Sequence, residues 1–419
     1  MRRPTPEGIP ETPAGTRWEP DRRSATGRRA RARTRRSALR APLGALAALL
    51  LLLGLPGTAV AAPDAPELPF TERYRVVQHG GIARAANSVI TCVAPALPDA
   101  VPCPEARAGA AGTNGDYEMF YIDVDDDPNT YNSSRADLRL PPGARVTTAR
   151  LYWGGNLLAG ERKPAADNAR VLFAEPGGNY KEILADTVIG HRPTAVDDGF
   201  TASADVTDLV RYASPGAYTV AQLNVAMGHS PVGTWGGWTL VVLYEHPDEP
   251  LRVLSLWDGW GTVGGNGGDL VADLPSAPPG LAGVPGLTAR RGEGDLTFTV
   301  DSLRAPAGAT GTLGVIGYDG DPGAGDILTV TPDLRPAVAL GDATSPADDV
   351  MNSTIADLGR HVTAREPAHR NTLGYDSNLL DLGPALGDGA NRLSPRFAGR
   401  GDRYHLGAVF LQVETENRR

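Results

Sequence analysis

At 419 residues, with 40 basic and 49 acidic side chains, the chain is long enough for one large or two ordinary domains. Its 51 glycines and 36 prolines suit many short strands joined by tight turns, and its negative balance disfavours nucleic acid and anionic lipid as partners. The seven histidines, 79, 191, 229, 246, 361, 369 and 405, are scattered without a His-x-x-x-His or HExxH pair, so zinc hydrolysis has no support.

The first forty residues hold twelve arginines against Glu7, Glu11, Glu19 and Asp21, with no apolar periodicity, and read as a disordered leader. An apolar run from Leu43 to Leu55 follows and ends in Ala59-Val60-Ala61, which together make an export signal with cleavage expected after Ala61. That run is about 13 residues against the ~20 a membrane span needs, so no stable span is expected after processing. Thr34-Arg35-Arg36-Ser37-Ala38-Leu39 partly resembles a twin-arginine signal, with Ala38 where an aromatic usually stands, and the export route stays open. Beyond residue 61 there remain 28 basic and 45 acidic residues, a net charge of −17, which makes cations the more natural ligands.

In chain order, residues 62–115 read as a lead-in with strands at Tyr74–Gln78 and Ser88–Cys92 and a loop closed by a Cys92–Cys103 disulfide, the expected state of an even, close pair in an exported chain. Residues 116–262 read as a β-sandwich, with strand-like runs at Val146–Trp153, Ala169–Phe173, Tyr180–Ala185 and Ala217–Met227. The densest stretch is Thr201–Trp260. There Trp238, Leu240, Val242 and Tyr244 alternate with Thr239, Val241 and Leu243, a strand apolar on both faces that belongs inside a packed sheet. Residues 263–419 open with a Gly/Pro-rich run and continue as a second β-rich half, with runs at Asp295–Leu303, Gly311–Tyr318, Asp326–Val330, Val350–Leu358 and Tyr404–Glu414. The expected class is all-β, a jelly-roll-like β-sandwich, either two sandwiches or one with a large β extension.

Several strings taken together, NGDYEMFYIDVDDDPNTYNSSRADLRLPPGARVTTARLYWGG, ADVTDLVRYASPGAYTVAQLNV, GGWTLVVLYEHPDEPLRVLSLWDGW, GYDGDPGAGD and DDVMNSTIADLG, resemble the β-rich N-terminal domain family of secreted bacterial surface proteins, which usually precedes tandem immunoglobulin-like conserved repeats. The likeness runs from about Ile90 to Gln412 and implies surface attachment or adhesion; the repeats and a sorting tail are not in this sequence. Ala204-Asp205-Val206-Thr207-Asp208-Leu209-Val210 is similar to a connection in galactose-binding-type jelly rolls, where its role is architectural, so Asp205 and Thr207 are expected to hold a turn.

Three constellations are candidates for chemistry. Asp123, Asp125, Asp127 and Asn129 gather hard oxygens at a strand end, as a calcium ion prefers, though the EF-hand glycine and closing glutamate are missing. Asp319, Asp321 and Asp326 form a second acidic turn of the same kind. Trp235, Trp257 and Trp260 lie near turns, where they could stack on sugar rings, against the plainer alternative that they fill the sandwich. Gly259-x-Gly261-x-x-Gly264 matches a dinucleotide fingerprint in form only, because the residues after it cannot make the helix the fingerprint requires. The function expected is an extracellular, non-catalytic module at the bacterial surface or matrix, adhesion-like or binding carbohydrate or another surface protein. The alternatives are a secreted glycan-acting hydrolase and a purely structural domain.

Overall fold

The structure is a computed structural model, in which residues 64–264, 294–323, 325–400 and 403–416 are described. The leader, its cleavage point and the Gly/Pro-rich run of 265–293 lie outside them. The chain is an all-β sandwich protein; among the described residues helix is confined to short turns such as Cys103–Arg107, Thr207–Arg211 and Gly383–Leu386, none long and apolar enough to cross a membrane.

The largest sheet has twelve strands, and the strand Leu68–Ser88 lies in its middle. Residues 80–88 of that strand pair antiparallel with Gly236–Glu245, which continues through Arg145–Asn156 and Asp198–Asp205 to Ile189–Pro193. Residues 68–79 pair instead with Leu251–Gly264, which leads through Arg403–Glu414 and Gly311–Tyr318 to Tyr375–Asp381. One strand thus belongs to two halves of a sheet. A five-stranded sheet including Ser133–Leu138, Gly216–Ala221 and Arg170–Ala174 covers the first half; a four-stranded sheet including Leu393–Ala398 and Ile327–Pro332 covers the second.

Alternation along the strands sorts the side chains into three cores. Trp238, Leu240 and Val242 point with Leu151, Trp153 and Phe200 into a core shared with Phe173, Tyr218 and Leu138 of the five-stranded sheet. Val253, Val315, Val409 and Leu411 point into a second core with Leu328, Val330 and Phe397 of the four-stranded sheet. The opposite faces of the two halves meet in a third core, where Tyr152, Val241 and Leu243 pack with Leu254, Ile316, Tyr375 and Phe410. The large sheet therefore doubles back on itself, and the molecule is two sandwiches placed back to back. Both faces of Gly236–Glu245 are buried, one in each core, as its apolar alternation requires. Thr239 is the polar member of its inner face, and its hydroxyl meets the Tyr375 phenol at 2.6 Å and the Ser377 hydroxyl at 3.1 Å, so burial leaves it bonded. Truncating Trp238, wholly buried with its indole N–H bonded to Ser134, would cost about 3–5 kcal/mol.

The arrangement corrects the expected boundaries. The lead-in of 62–115 is no appendage, because it supplies the strand common to both halves, and strands on either side of residue 262 pair with one another. The run expected at Ala217–Met227 stops as strand at Ala221, where Gln222 adopts φ 58°. Beyond it the Asn132 amide replaces a neighbouring strand, donating to the Leu223 carbonyl at 2.8 Å and accepting from its N–H at 3.0 Å. Strands at Asp198–Asp205, Tyr375–Asp381 and Leu393–Ala398 were not expected from the sequence.

Two local devices tie distant segments together. Cys92 and Cys103 are placed as a disulfide, both buried, with Cα atoms 5.8 Å apart. Arg365 is buried and among the described residues has no carboxylate partner: it donates to the Val362, Pro367 and His369 carbonyls and to the Asn87 side chain, clamping the 362–369 loop to the shared strand. Burial, with Arg84 nearby, brings its guanidinium down to about 10.

The change of partner along the shared strand occurs at Gly80, whose φ is 149° and where a β-carbon would sit 2.0 Å from the Tyr244 carbonyl oxygen. Gly80→Ala is therefore expected to destabilise the protein by roughly 2 kcal/mol or more, read as a lowered Tm. An unchanged Tm would show that the hinge tolerates a side chain.

Candidate functional site

Where the two halves of the large sheet part, a cavity of about 440 Å³ opens, within the size range of small-molecule sites. Its walls come from both sandwiches. Leu68, Pro69, Thr71 and Arg73 come from the shared strand, Tyr152 and Thr201–Ser203 from one half, Asp258, Gly259 and Gly407 from the other, and Asp186–Val188 from a connecting loop. A second cavity of the same volume lies beneath residues 140–146, with Arg145 and Arg211 as its charged groups and no carboxylate in its wall.

Charges inside apolar strands must be matched, and here they are. Arg73 Nε donates to Asp258 Oδ2 and Nη2 to Oδ1, each at 2.8 Å, and the Tyr152 hydroxyl donates to Oδ2 at 2.9 Å. The bond from Asp258 raises the Arg73 pKa, and burial, with Asp258 adding to it, pushes the Tyr152 phenol well above its ordinary range. Behind this pair, the buried Arg150 donates through Nη1 and Nη2 to Asp186 and through Nε to the Ser203 hydroxyl at 3.1 Å. Its Nε stands 3.8 Å from Asp258, so the two ion pairs form one network across the seam. Asp186 also accepts the Asp205 amide N–H at 2.8 Å. The Arg73 and Asp186 side chains retain 37% and 42% exposure, whereas Asp258 and Arg150 retain 9% and 8%, so the pocket offers one guanidinium and one carboxylate to solvent.

The tryptophans that were candidates for a ligand platform lie elsewhere. Trp235 and Trp260 are fully buried in the third core against Tyr318 and His405, which rules them out as surface platforms. For Trp260 the cause is a β-bulge: the pairing register slips between Asp258 and Gly261, turning Trp260 inward, and Gly190 leaves it room, since a β-carbon there would lie 2.4 Å from the indole. Trp257 is half-buried, its ring 5.1 Å from that of Phe298. Gly259-x-Gly261-x-x-Gly264 runs as strand.

Asp205 and Thr207 hold a turn. The Asp205 carboxylate accepts the Thr207 N–H at 2.8 Å, and the Thr207 hydroxyl accepts from Ala149 N–H at 2.9 Å, fixing the short helix Thr207–Arg211 to the neighbouring strand. At the acidic loop, Asp123 accepts the Ser133 hydroxyl, Asp125 accepts Thr130, the Asp127 N–H and Tyr180, and Asp127 accepts the Asn129 amide. Burial pushes the Asp125 carboxyl up, but the bonds from Tyr180, Asp127, Ser133 and Thr130 outweigh it and leave it below the ordinary range. Both oxygens of Asp125 and one each of Asp123 and Asp127 thus accept from protein donors, and among the described residues no group of three or more His, Cys, Asp or Glu side chains is placed to hold a metal ion. In the second acidic turn, Asp319 accepts the Asn114 amide at 2.9 Å.

No family model matches the chain, and no curated protein matches it. Among solved structures it is similar to quercetin 2,3-dioxygenase from Acinetobacter baumannii, at 8% identity over 82% of this chain and 91% of that one, with a TM-score of 0.18, too low to bear on fold or function.

Two measurements follow from these environments. His405 is buried against Trp260, its Nε2 3.8 Å from Asp197, with Arg403 and Arg192 adding positive charge; burial chiefly lowers its pKa. The native state thus resists a proton that the unfolded chain takes up below about 6.5, so this stability is present above that pH and is lost as pH falls. His405→Gln should lose less Tm than the parent between pH 7.5 and 5; an equal loss would remove His405 from the acid response. For the loop at Asp123–Asn129, the same Tm in millimolar calcium and in chelator would remove the ion from the loop. A rise in calcium would instead mark a bound ion displacing the loop's own bonds.

Proposed function

We propose that the chain works outside the cell as a non-catalytic interaction module, adhesion-like or carbohydrate-binding, with the seam pocket as its binding site. The observation that carries this reading is the matched network Arg73–Asp258–Tyr152 and Arg150–Asp186–Ser203, which fixes donors and acceptors in an open cavity between two rigid sheets. The export-like leader and the likeness of several segments to a domain of secreted surface proteins support the compartment.

The same network argues against a glycan hydrolase. Such an enzyme needs one carboxyl group to deliver a proton while a second acts as base or nucleophile. In this pocket Asp258 is held by Arg73 and Tyr152 and Asp186 by Arg150, so each carboxylate already serves a fixed ion pair. A glycan array probed with the purified protein should show bound saccharides, and incubation with the same glycans should release no new reducing ends. Turnover of any glycan would replace this reading with the hydrolase, and an array without binding would leave a protein partner or a structural role.

A further inference from the structure

We propose that the seam pocket takes a neutral vicinal diol, as carried by an uncharged sugar ring, held between Arg73 and Asp186; this rests on the binding reading above. A guanidinium has five N–H groups. Arg73 spends its Nε edge and one Nη2 hydrogen on Asp258, and among the described residues no protein group takes Nη1, so the end of the fork is turned to the exposed side of the pocket. A carboxylate has about four lone-pair sites. Asp186 fills three, with Arg150 Nη1, Arg150 Nη2 and the Asp205 N–H, and is open to solvent for the fourth. A diol meets both needs at once, since one hydroxyl accepts from Arg73 while its neighbour donates to Asp186.

Charge selects against an acidic ligand. Arg73 and Arg150 balance Asp258 and Asp186, so an anion entering the pocket meets no net attraction and would have to approach two carboxylates. Leu68, Pro69 and Val188, the last 41% exposed, add apolar surface to the wall for the C–H face of a ring.

The test is titration of the purified protein with methyl α-mannopyranoside, methyl β-galactopyranoside and glucuronate, followed by heteronuclear NMR. At least one neutral glycoside should bind more tightly than glucuronate. Arg73→Lys keeps a charge for Asp258 but lacks the second edge, and should weaken that binding about tenfold or more. Asp186→Asn, on the exposed side, should weaken it similarly and keeps the test open where Arg73→Lys fails to fold. Tighter binding of glucuronate overturns the diol. Neutral binding unchanged in both variants moves the ligand elsewhere and overturns this inference and the pocket's role, while an extracellular binding module still stands. Silence of all three probes also overturns it, and the glycan array then decides whether the broader reading falls too.

Discussion

The whole architecture depends on one strand serving two sheets. Leu68–Ser88 hydrogen-bonds to Gly236–Glu245 along one part of its length and to Leu251–Gly264 along the other, and the exchange is possible because Gly80 has no side chain where the backbone of Tyr244 comes closest. Since Gly236–Glu245 and Leu251–Gly264 follow each other in sequence, the two segments run antiparallel to the whole shared strand in turn. The halves then face each other through Val241, Leu243, Leu254, Ile316 and Phe410. The twelve-stranded sheet cannot be divided between the two sandwiches without cutting the strand they share.

That same sharing explains where the pocket lies. Strands buried on both faces leave polar groups little room, so the charged side chains of these strands gather where the halves separate. Arg150 and Tyr152 follow the alternation of their strand into the seam, and Asp258 sits next to the bulge that breaks its strand's register. A bulge beside a charged pocket is a common way of re-aiming side chains. Here it sends Trp260 inward beside the wall that carries Asp258.

Much of the fold was legible in the sequence because period-two burial is a local signal. The run Trp238–Tyr244 showed two apolar faces, and each proved to serve a different core. Asp198–Asp205 escaped notice because Phe200 is the only large residue among small and polar ones, and its place in the sheet is set by pairing with Arg145–Asn156 rather than by its own pattern. The pocket was not legible. Its charged members stand at 73, 150, 186 and 258, on four separate segments that only the folded sheet brings together. The one available hint was chemical: Arg150 within VTTARLYW and Asp258 within LSLWDGW are charges in apolar strands, and such charges call for partners. For the tryptophans the sequence left both a platform and a core role open, since their nearness to turns is visible there and the bulge that buries Trp260 is not.

The shared strand also sets a condition on how the chain comes to be folded. As it emerges during synthesis, Leu68–Ser88 is among the first of the described strands to be made, yet its partners end at residues 245 and 264, and Leu251–Gly264 in turn waits for Arg403–Glu414. Loop closure over such separations is slow, and strand edges stay unpaired meanwhile. Native pairing in the second half is thus deferred until residue 414 has been made, and the nascent chain must be kept from pairing with its neighbours over that interval.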